Sequence, residues 1–201
     1  GRSGDAPVKN WGGAGATDFP SERAKKISDD TVIGVEGYKK YGCWRCPVAC
    51  GGRMIQKSGK FALEFNDGVG HKPEYETLAM FGSNLLNDDL ASIIKANEIC
   101  NNLGIDTISV GSVIGFAIEC YENGLISKDQ TDGLELTWGN PDAIVAMTEK
   151  IGKRDGFGDI LADGIAAAAK KLGDIGTDYQ VHVDGEEIPA HDPKFLPDLA
   201  P

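Results

Sequence analysis

The chain is short of histidine, of positive charge and of long apolar runs, and each shortage removes a class of function. Its 201 residues include only three histidines, His71, His182 and His191, none at knuckle spacing from another metal ligand. A single C-x2-C is present, whereas structural zinc sites usually combine two separated pairs. Lys and Arg number 20 against 31 Asp and Glu, a net charge of −11. The basic surface that dominates nucleic-acid affinity is therefore missing, and an anionic membrane surface is disfavoured as well. No apolar run approaches the roughly 20 residues of a bilayer span. Nothing resembling a secretory signal precedes the cysteines, which fits a reducing, cytoplasmic setting rather than a disulfide framework. The chain opens at Gly1 without methionine and stops at Pro201 in a proline-rich stretch, so it reads as an internal fragment.

Against that background, three of the five cysteines crowd into Gly42-Cys43-Trp44-Arg45-Cys46-Pro47-Val48-Ala49-Cys50-Gly51-Gly52. Thiolates at C-x2-C-x3-C spacing converge on one metal centre more readily than they pair with each other. Three of them would cover three corners of an iron–sulfur cubane and leave one corner for a distant ligand. Zinc ranks second and inert buried thiols third. Cys100 and Cys120 fall in helical, apolar surroundings, where free cysteine packs as a small hydrophobe. Either could still supply the fourth ligand; otherwise that ligand lies outside the chain.

With 41% hydrophobic residues the chain can bury a real core. Residues 1–41 read as a loop-rich lead-in and 42–201 as a helical domain. Trp11-Gly12-Gly13-Ala14-Gly15 is a surface loop rather than a phosphate cradle, and Gly59 to Gly70 reads as a short hairpin or irregular excursion. Asn87-Asp88-Asp89 caps a helix through Asn102, with Leu90, Ile93, Ile94, Ala96 and Ile99 on one stripe. Gly104 stops that helix. A second is expected over about Ser109–Asn123, where Gly111 and Gly115 allow close helix packing. Asn140-Pro141 starts a third, a fourth spans roughly 159–172, and Tyr179 to Val183 suggests a short strand. The expected fold class is mainly α, with the cysteine loop ahead of the first strong helix.

Several segments together resemble the tungsten-containing aldehyde:ferredoxin oxidoreductases. The cysteine loop is similar to their cluster loop, and Pro73-Glu74-Tyr75-Glu76-Thr77-Leu78 to their active-site segment. Lys95 to Ser109 (KANEICNNLGIDTIS) resembles their first pterin-binding region. Glu119 to Ile126, Gly156 to Gly164 and Glu187 to Pro193 follow in the same order, so the likeness runs from about residue 40 onward.

The resemblance implies an aldehyde ferredoxin oxidoreductase-like helical domain, incomplete at both ends, that binds a cluster and a pterin. Cys43, Cys46 and Cys50 would hold a [4Fe-4S] cluster whose fourth cysteine comes from far downstream. Glu76 would be the carboxylate handling protons beside tungsten or molybdenum on a bis-pterin. The family pattern D-x-x-G-L-D/C reads here Asn101-Asn102-Leu103-Gly104-Ile105-Asp106, making Asn101, Ile105 and Asp106 the pterin-binding positions. Asn101 keeps an acceptor oxygen but loses the charge of the family's aspartate. The Glu-x-x-His pair that bridges subunits through iron in some members is absent. Implied partners are ferredoxin or a similar electron carrier, a small aldehyde, and in some members a second copy of the chain. Read as local structure alone, Asn101 and Asp106 are capping and turn residues, and Glu74 and Glu76 a solvated first turn. His182 and His191 fit surface or supporting roles as well as catalysis. Two other functions stay open: a low-potential reductase of an aromatic acyl-thioester ring, and a non-catalytic iron–sulfur or zinc module.

Overall fold

A computed structural model describes residues 5–195. Three of its helices begin where the sequence supplies a side-chain cap. The helix α4 (Leu90–Leu103) is preceded by Asp89, whose carboxylate accepts the Ser92 N–H at 2.8 Å. The helix α5 (Thr107–Glu122) starts from Asp106, which accepts the Ser109 N–H at 2.7 Å. The helix α6 (Pro141–Lys153) has Asn140 accepting from Asp142 and Ala143, with Pro141 at its first turn. Each cap satisfies a donor that the first helical turn leaves unpaired. Between α4 and α5 the chain turns through 120° at Gly104, whose φ of 69° is the left-handed conformation glycine adopts without strain.

These helices form the core, with α4 packed chiefly on α6 and α5 also against α6. Ile93 and Ile94 of α4, Val113 and Ile114 of α5, and Ile144 and Met147 of α6 are buried together, as are Cys100 and Cys120. The short helix α3 (Tyr75–Phe81) lies against α5. Its approach depends on Gly111, where a Cβ would come within 2.7 Å of the Met80 Cβ and 2.9 Å of its carbonyl oxygen. Helix packing thus explains this glycine.

Other elements depart from the sequence reading. The expected fourth helix is two, α7 (Phe157–Leu161) and α8 (Ile165–Lys171), because Gly164 turns the backbone to φ 87° and Glu187 recaps the chain at the Ile165 N–H, 2.8 Å away. Tyr179 to Val183 forms no strand: Thr177–Tyr179 is a 3₁₀ turn and Val183 makes one isolated bridge to Glu186. The lead-in carries two short helices, α1 (Ser21–Lys26) and α2 (Asp29–Ile33), and contributes a strand. That strand, β1 (Lys39–Tyr41), pairs antiparallel with β2 (Gly51–Ile55), which pairs antiparallel with β3 (Val69–His71). Tyr41 faces Gly51 across the first pair and Arg53 faces His71 across the second, so the cysteine loop is the β1–β2 hairpin connection.

The excursion between β2 and β3 is clamped to α4. Glu98 accepts the Glu64 and Phe65 N–H groups at 3.0 and 3.1 Å, and Lys95 Nζ lies 2.8 Å from Glu98 and 2.9 Å from Glu64. No single described helix is long and apolar enough to cross a membrane.

Candidate functional site

The end of the small sheet, the start of α3, the last turns of α4 and the first turn of α5 enclose a cleft of about 570 Å³. Its lining includes Tyr41, His71, Glu76, Asn97, Asn101 and Asp106. Three of the sequence-predicted residues, Glu76, Asn101 and Asp106, therefore share one cavity although they come from three helices. Thr77 donates to Thr107 across its wall at 3.0 Å, tying α3 to α5. Asn97, buried on α4, donates its side-chain amide to the His71 carbonyl at 3.1 Å and holds β3 in place. A larger cavity of about 1110 Å³ lies under the N-terminal segment and α1 and contains none of the predicted residues.

Glu76 is half-buried and firmly oriented. Its Oε2 accepts the Ala190 N–H at 2.7 Å, and its Oε1 lies 3.5 Å from His191 Nε2. On the other side of the imidazole, His191 Nδ1 is 2.9 Å from Asp5 Oδ2. The Tyr75 ring packs on the imidazole at 5.3 Å, and its hydroxyl donates to the Ala190 carbonyl at 2.7 Å. Burial first, then the charges of Asp5 and Glu76, push the Tyr75 phenol well above its usual range, so it stays a donor. The sequence alone could not separate a surface role for His191 from a catalytic one; the fold brings it to Glu76 across the chain. His182 instead accepts the Gly185 N–H at 3.2 Å in a local turn.

Asp106 spends one carboxylate oxygen on the α5 cap, so its capping role is real, and it lines the cleft at the same time. Ile105 does not join it there. It points to a separate cavity of about 290 Å³ shared with Ile151, Gly152 and Arg154, and its Cδ1 sits 3.2 Å from where a Gly152 Cβ would be. The mixture of amide, carboxylate and hydroxyl groups from Asn97, Asn101, Asp106 and Thr107 suits a heterocycle rich in ring nitrogens, which needs donors and acceptors together.

Cys43, Cys46 and Cys50 are all exposed on the β1–β2 connection. The loop curls on itself: the Cys46 N–H donates to the Cys43 carbonyl at 2.9 Å, and a Cβ on Gly42 would lie 3.1 Å from the Ala49 Cβ. Arg45 and Ala49 take left-handed φ values of 61° and 48°. Among the described residues, no three His, Cys, Asp or Glu side chains are gathered as a metal-ligand set. The donor chemistry, three accessible soft thiols on one curled loop, nevertheless fits three corners of an iron–sulfur cluster. Cys100 and Cys120 do not fit as the fourth. Both are buried in the core, and burial, with the neighbouring Asp106 and Glu119 charges respectively, pushes each thiol up to about 12.

Fold and cleft together define a mainly helical domain with a small three-stranded sheet and a polar cleft, and comparison with known proteins identifies the family. A family model described as aldehyde ferredoxin oxidoreductase, domains 2 and 3, matches residues 1–200. Tungsten-containing aldehyde ferredoxin oxidoreductases from Pyrococcus abyssi and Pyrococcus furiosus are 38% and 39% identical over 157 and 153 residues, 76% of this chain and 24% of each relative. The WOR-like subunit of an aliphatic sulfonate oxidoreductase from Pyrococcus furiosus is 31% identical over 193 residues, 92% of this chain and 29% of that one. The active-site complex BamBC of benzoyl coenzyme A reductase, solved with 1,5-dienoyl-CoA, shares the fold. Its TM-score is 0.72 at 22% identity, covering 92% of this chain and 26% of that one. The chain belongs to the aldehyde ferredoxin oxidoreductase family, a family of oxidoreductases, and spans about a quarter of the length of the curated relatives it matches.

Proposed function

We propose that the chain is the cluster- and pterin-contacting part of an enzyme that oxidises aldehydes to carboxylic acids and passes the electrons to ferredoxin. The observation that carries this reading is the convergence of Glu76, Asn101 and Asp106 on one cleft, in a chain 38–39% identical to tungsten-containing relatives. Cys43, Cys46 and Cys50 would hold three corners of a [4Fe-4S] cluster, the fourth ligand coming from outside this chain. Asn101, Asp106 and their neighbours would hold the pterin of a tungsten (or molybdenum) centre. When bound, that centre supplies the two-electron chemistry, as cofactors generally do for redox steps.

The residues of the chain supply binding and proton handling. Glu76 acts as general base on water or on the hydrated aldehyde. Because its Oε2 is held by the Ala190 N–H, Oε1 is the oxygen that takes the proton. Asn101 offers an acceptor without charge, so Asp106 provides the charged contact to the pterin.

A second reading draws on the fold likeness to the benzoyl coenzyme A reductase complex: a low-potential reductase of an aromatic acyl-thioester. Elemental analysis of the full-length parent protein, purified without oxygen after growth with both tungsten and molybdenum, tests the cofactor assignment. Tungsten or molybdenum with about four irons per chain is expected. Zinc alone, or iron without either metal, would reduce the chain to a metal module. Aldehyde-dependent ferredoxin reduction then separates the first reading from the second, which predicts electron flow into the thioester and no aldehyde oxidation.

A further inference from the structure

We propose that Asp5 is a positioning residue for proton exit from the cleft: it fixes the tautomer of His191 so that Nε2, and not Nδ1, relays the proton that Glu76 takes up. The inference rests on the reading of Glu76 as the proton-handling carboxylate, and concerns a residue with no place in that reading.

The argument begins with donors and acceptors. Asp5 Oδ2 lies 2.9 Å from His191 Nδ1, and an ionised carboxylate can only accept, so Nδ1 carries the hydrogen. In the neutral form of the ring Nε2 is then the bare nitrogen, and that atom is the one 3.5 Å from Glu76 Oε1. Glu76 cannot swing away, since its other oxygen is held by the Ala190 N–H at 2.7 Å. Nor can the ring tilt freely, because Tyr75 packs on it at 5.3 Å and is itself tied to the Ala190 carbonyl. Asp5 is held by its backbone, its carbonyl accepting the Asp192 N–H at 2.6 Å. The side chain of Asp192 is occupied elsewhere, with Lys194 at 3.3 Å.

The relay balances. The proton on Glu76 Oε1 passes to His191 Nε2, leaving Glu76 ionised for the next turnover and the imidazole cationic between two carboxylates. The imidazolium then gives a proton to bulk water. Of the two carboxylates flanking the ring, Asp5 is the more buried, 22% exposed against 29% for Glu76. The aspartate, held through its backbone carbonyl, is thus the anchored partner. A carboxylate that orients a metal-bound imidazole typically changes function by about 10- to 100-fold when removed, and the same order is expected for Asp5.

The test uses the full-length parent protein with Asp5→Ala, Asp5→Asn and Asp5→Glu. The first readout is the His191 tautomer, read from nitrogen chemical shifts after histidine-specific ¹⁵N labelling of the metal-free protein. The native chain is expected to show the Nδ1–H form, and Asp5→Ala to move His191 to the Nε2–H form that unconstrained imidazole favours. The second is steady-state aldehyde oxidation by the loaded enzyme. Asp5→Ala and Asp5→Asn are expected to lower kcat by about 10- to 100-fold with KM within about twofold, and Asp5→Glu to restore most of it. An unchanged tautomer in Asp5→Ala, or native kcat in both Asp5→Ala and Asp5→Asn, overturns the proposal. If instead Glu76→Gln retains full turnover, the catalytic reading of Glu76 falls, and with it the relay, while the tautomer readout still reports on Asp5 and His191.

Discussion

The backbone N–H of Ala190 donates to Glu76 Oε2 at 2.7 Å across 114 residues of sequence. This one bond makes the first-turn glutamate of a short helix an oriented carboxylate rather than a solvated one. It also anchors the segment that carries His191.

Glu76→Gln keeps the shape of the side chain and removes the base. Turnover of the loaded parent enzyme is expected to fall by about 10²- to 10⁴-fold, the usual contribution of a positioned acid–base group. Metal content by elemental analysis should stay native. Native turnover in the variant would remove Glu76 from the chemistry.

Thiol reactivity should divide the cysteines into two classes. In the cluster-free protein, Cys43, Cys46 and Cys50 are exposed, while Cys100 and Cys120 are buried with thiols pushed up to about 12. The thiolate is the reactive form, so brief iodoacetamide treatment near neutral pH should modify the first three and spare the other two. Peptide mass spectrometry reads this directly. Rapid labelling of Cys100 in folded protein would contradict the core placement.

Gly111 marks a close helix approach. In Gly111→Val the first added carbon would lie 2.7 Å from the Met80 Cβ and 2.9 Å from its carbonyl, so α3 and α5 must separate. Overpacking of this kind costs about 1–3 kcal/mol, seen as a lower urea midpoint. Because α3 carries Glu76, the displacement should also lower turnover. A variant as stable as the native protein would show that α3 yields without cost.

The Lys95–Glu98–Glu64 clamp predicts a pH-dependent loss of stability at both extremes. Burial acts to lower the Lys95 pKa, but the hydrogen bonds to Glu98 and Glu64 outweigh it and the net shift is upward from 10.5. A raised folded-state lysine stabilises fully below its unfolded pKa, and that contribution disappears as pH rises through the folded value. Glu64, lowered from 4.5 chiefly by its hydrogen bond to Lys95, stabilises above its unfolded pKa and loses this as pH falls. Lys95→Met should remove the alkaline loss attributable to this group. It should also destabilise near neutral pH by about 3–5 kcal/mol, because the buried Glu98 carboxylate loses its ion-pair partner and keeps only the Glu64 and Phe65 N–H donors. Urea unfolding of both proteins at neutral and alkaline pH measures the difference. Parallel pH profiles would exclude the clamp as the source.

Much of the helical frame was legible in the residues. Asp89 and Asn140 announce two helix starts, and Gly104 one stop, because capping depends only on neighbours a turn away; α5 begins at Thr107, two residues before the expected Ser109. The break between α7 and α8 was hidden because Gly164 owes its cap to Glu187, more than twenty residues on. The sheet was hidden too. Its outer strands are three residues long, too short for alternation to show, and the partner of β2 comes after an excursion held by Lys95 and Glu98. Of the predicted site, Glu76, Asn101 and Asp106 converge on one cleft, whereas Ile105 lines a neighbouring cavity that also touches Asp106.

Sequence by itself determined what depends on local chemistry: the thiol-rich loop, the capped helices, the acidic surface and the order of segments that marks the family. Only the tertiary structure decided that Glu76 meets His191 and that His191 meets Asp5 from the other end of the chain, 186 residues away. The physical reason is that caps and turns are encoded within a few residues. The cleft is assembled instead from side chains whose proximity exists only after the core has packed.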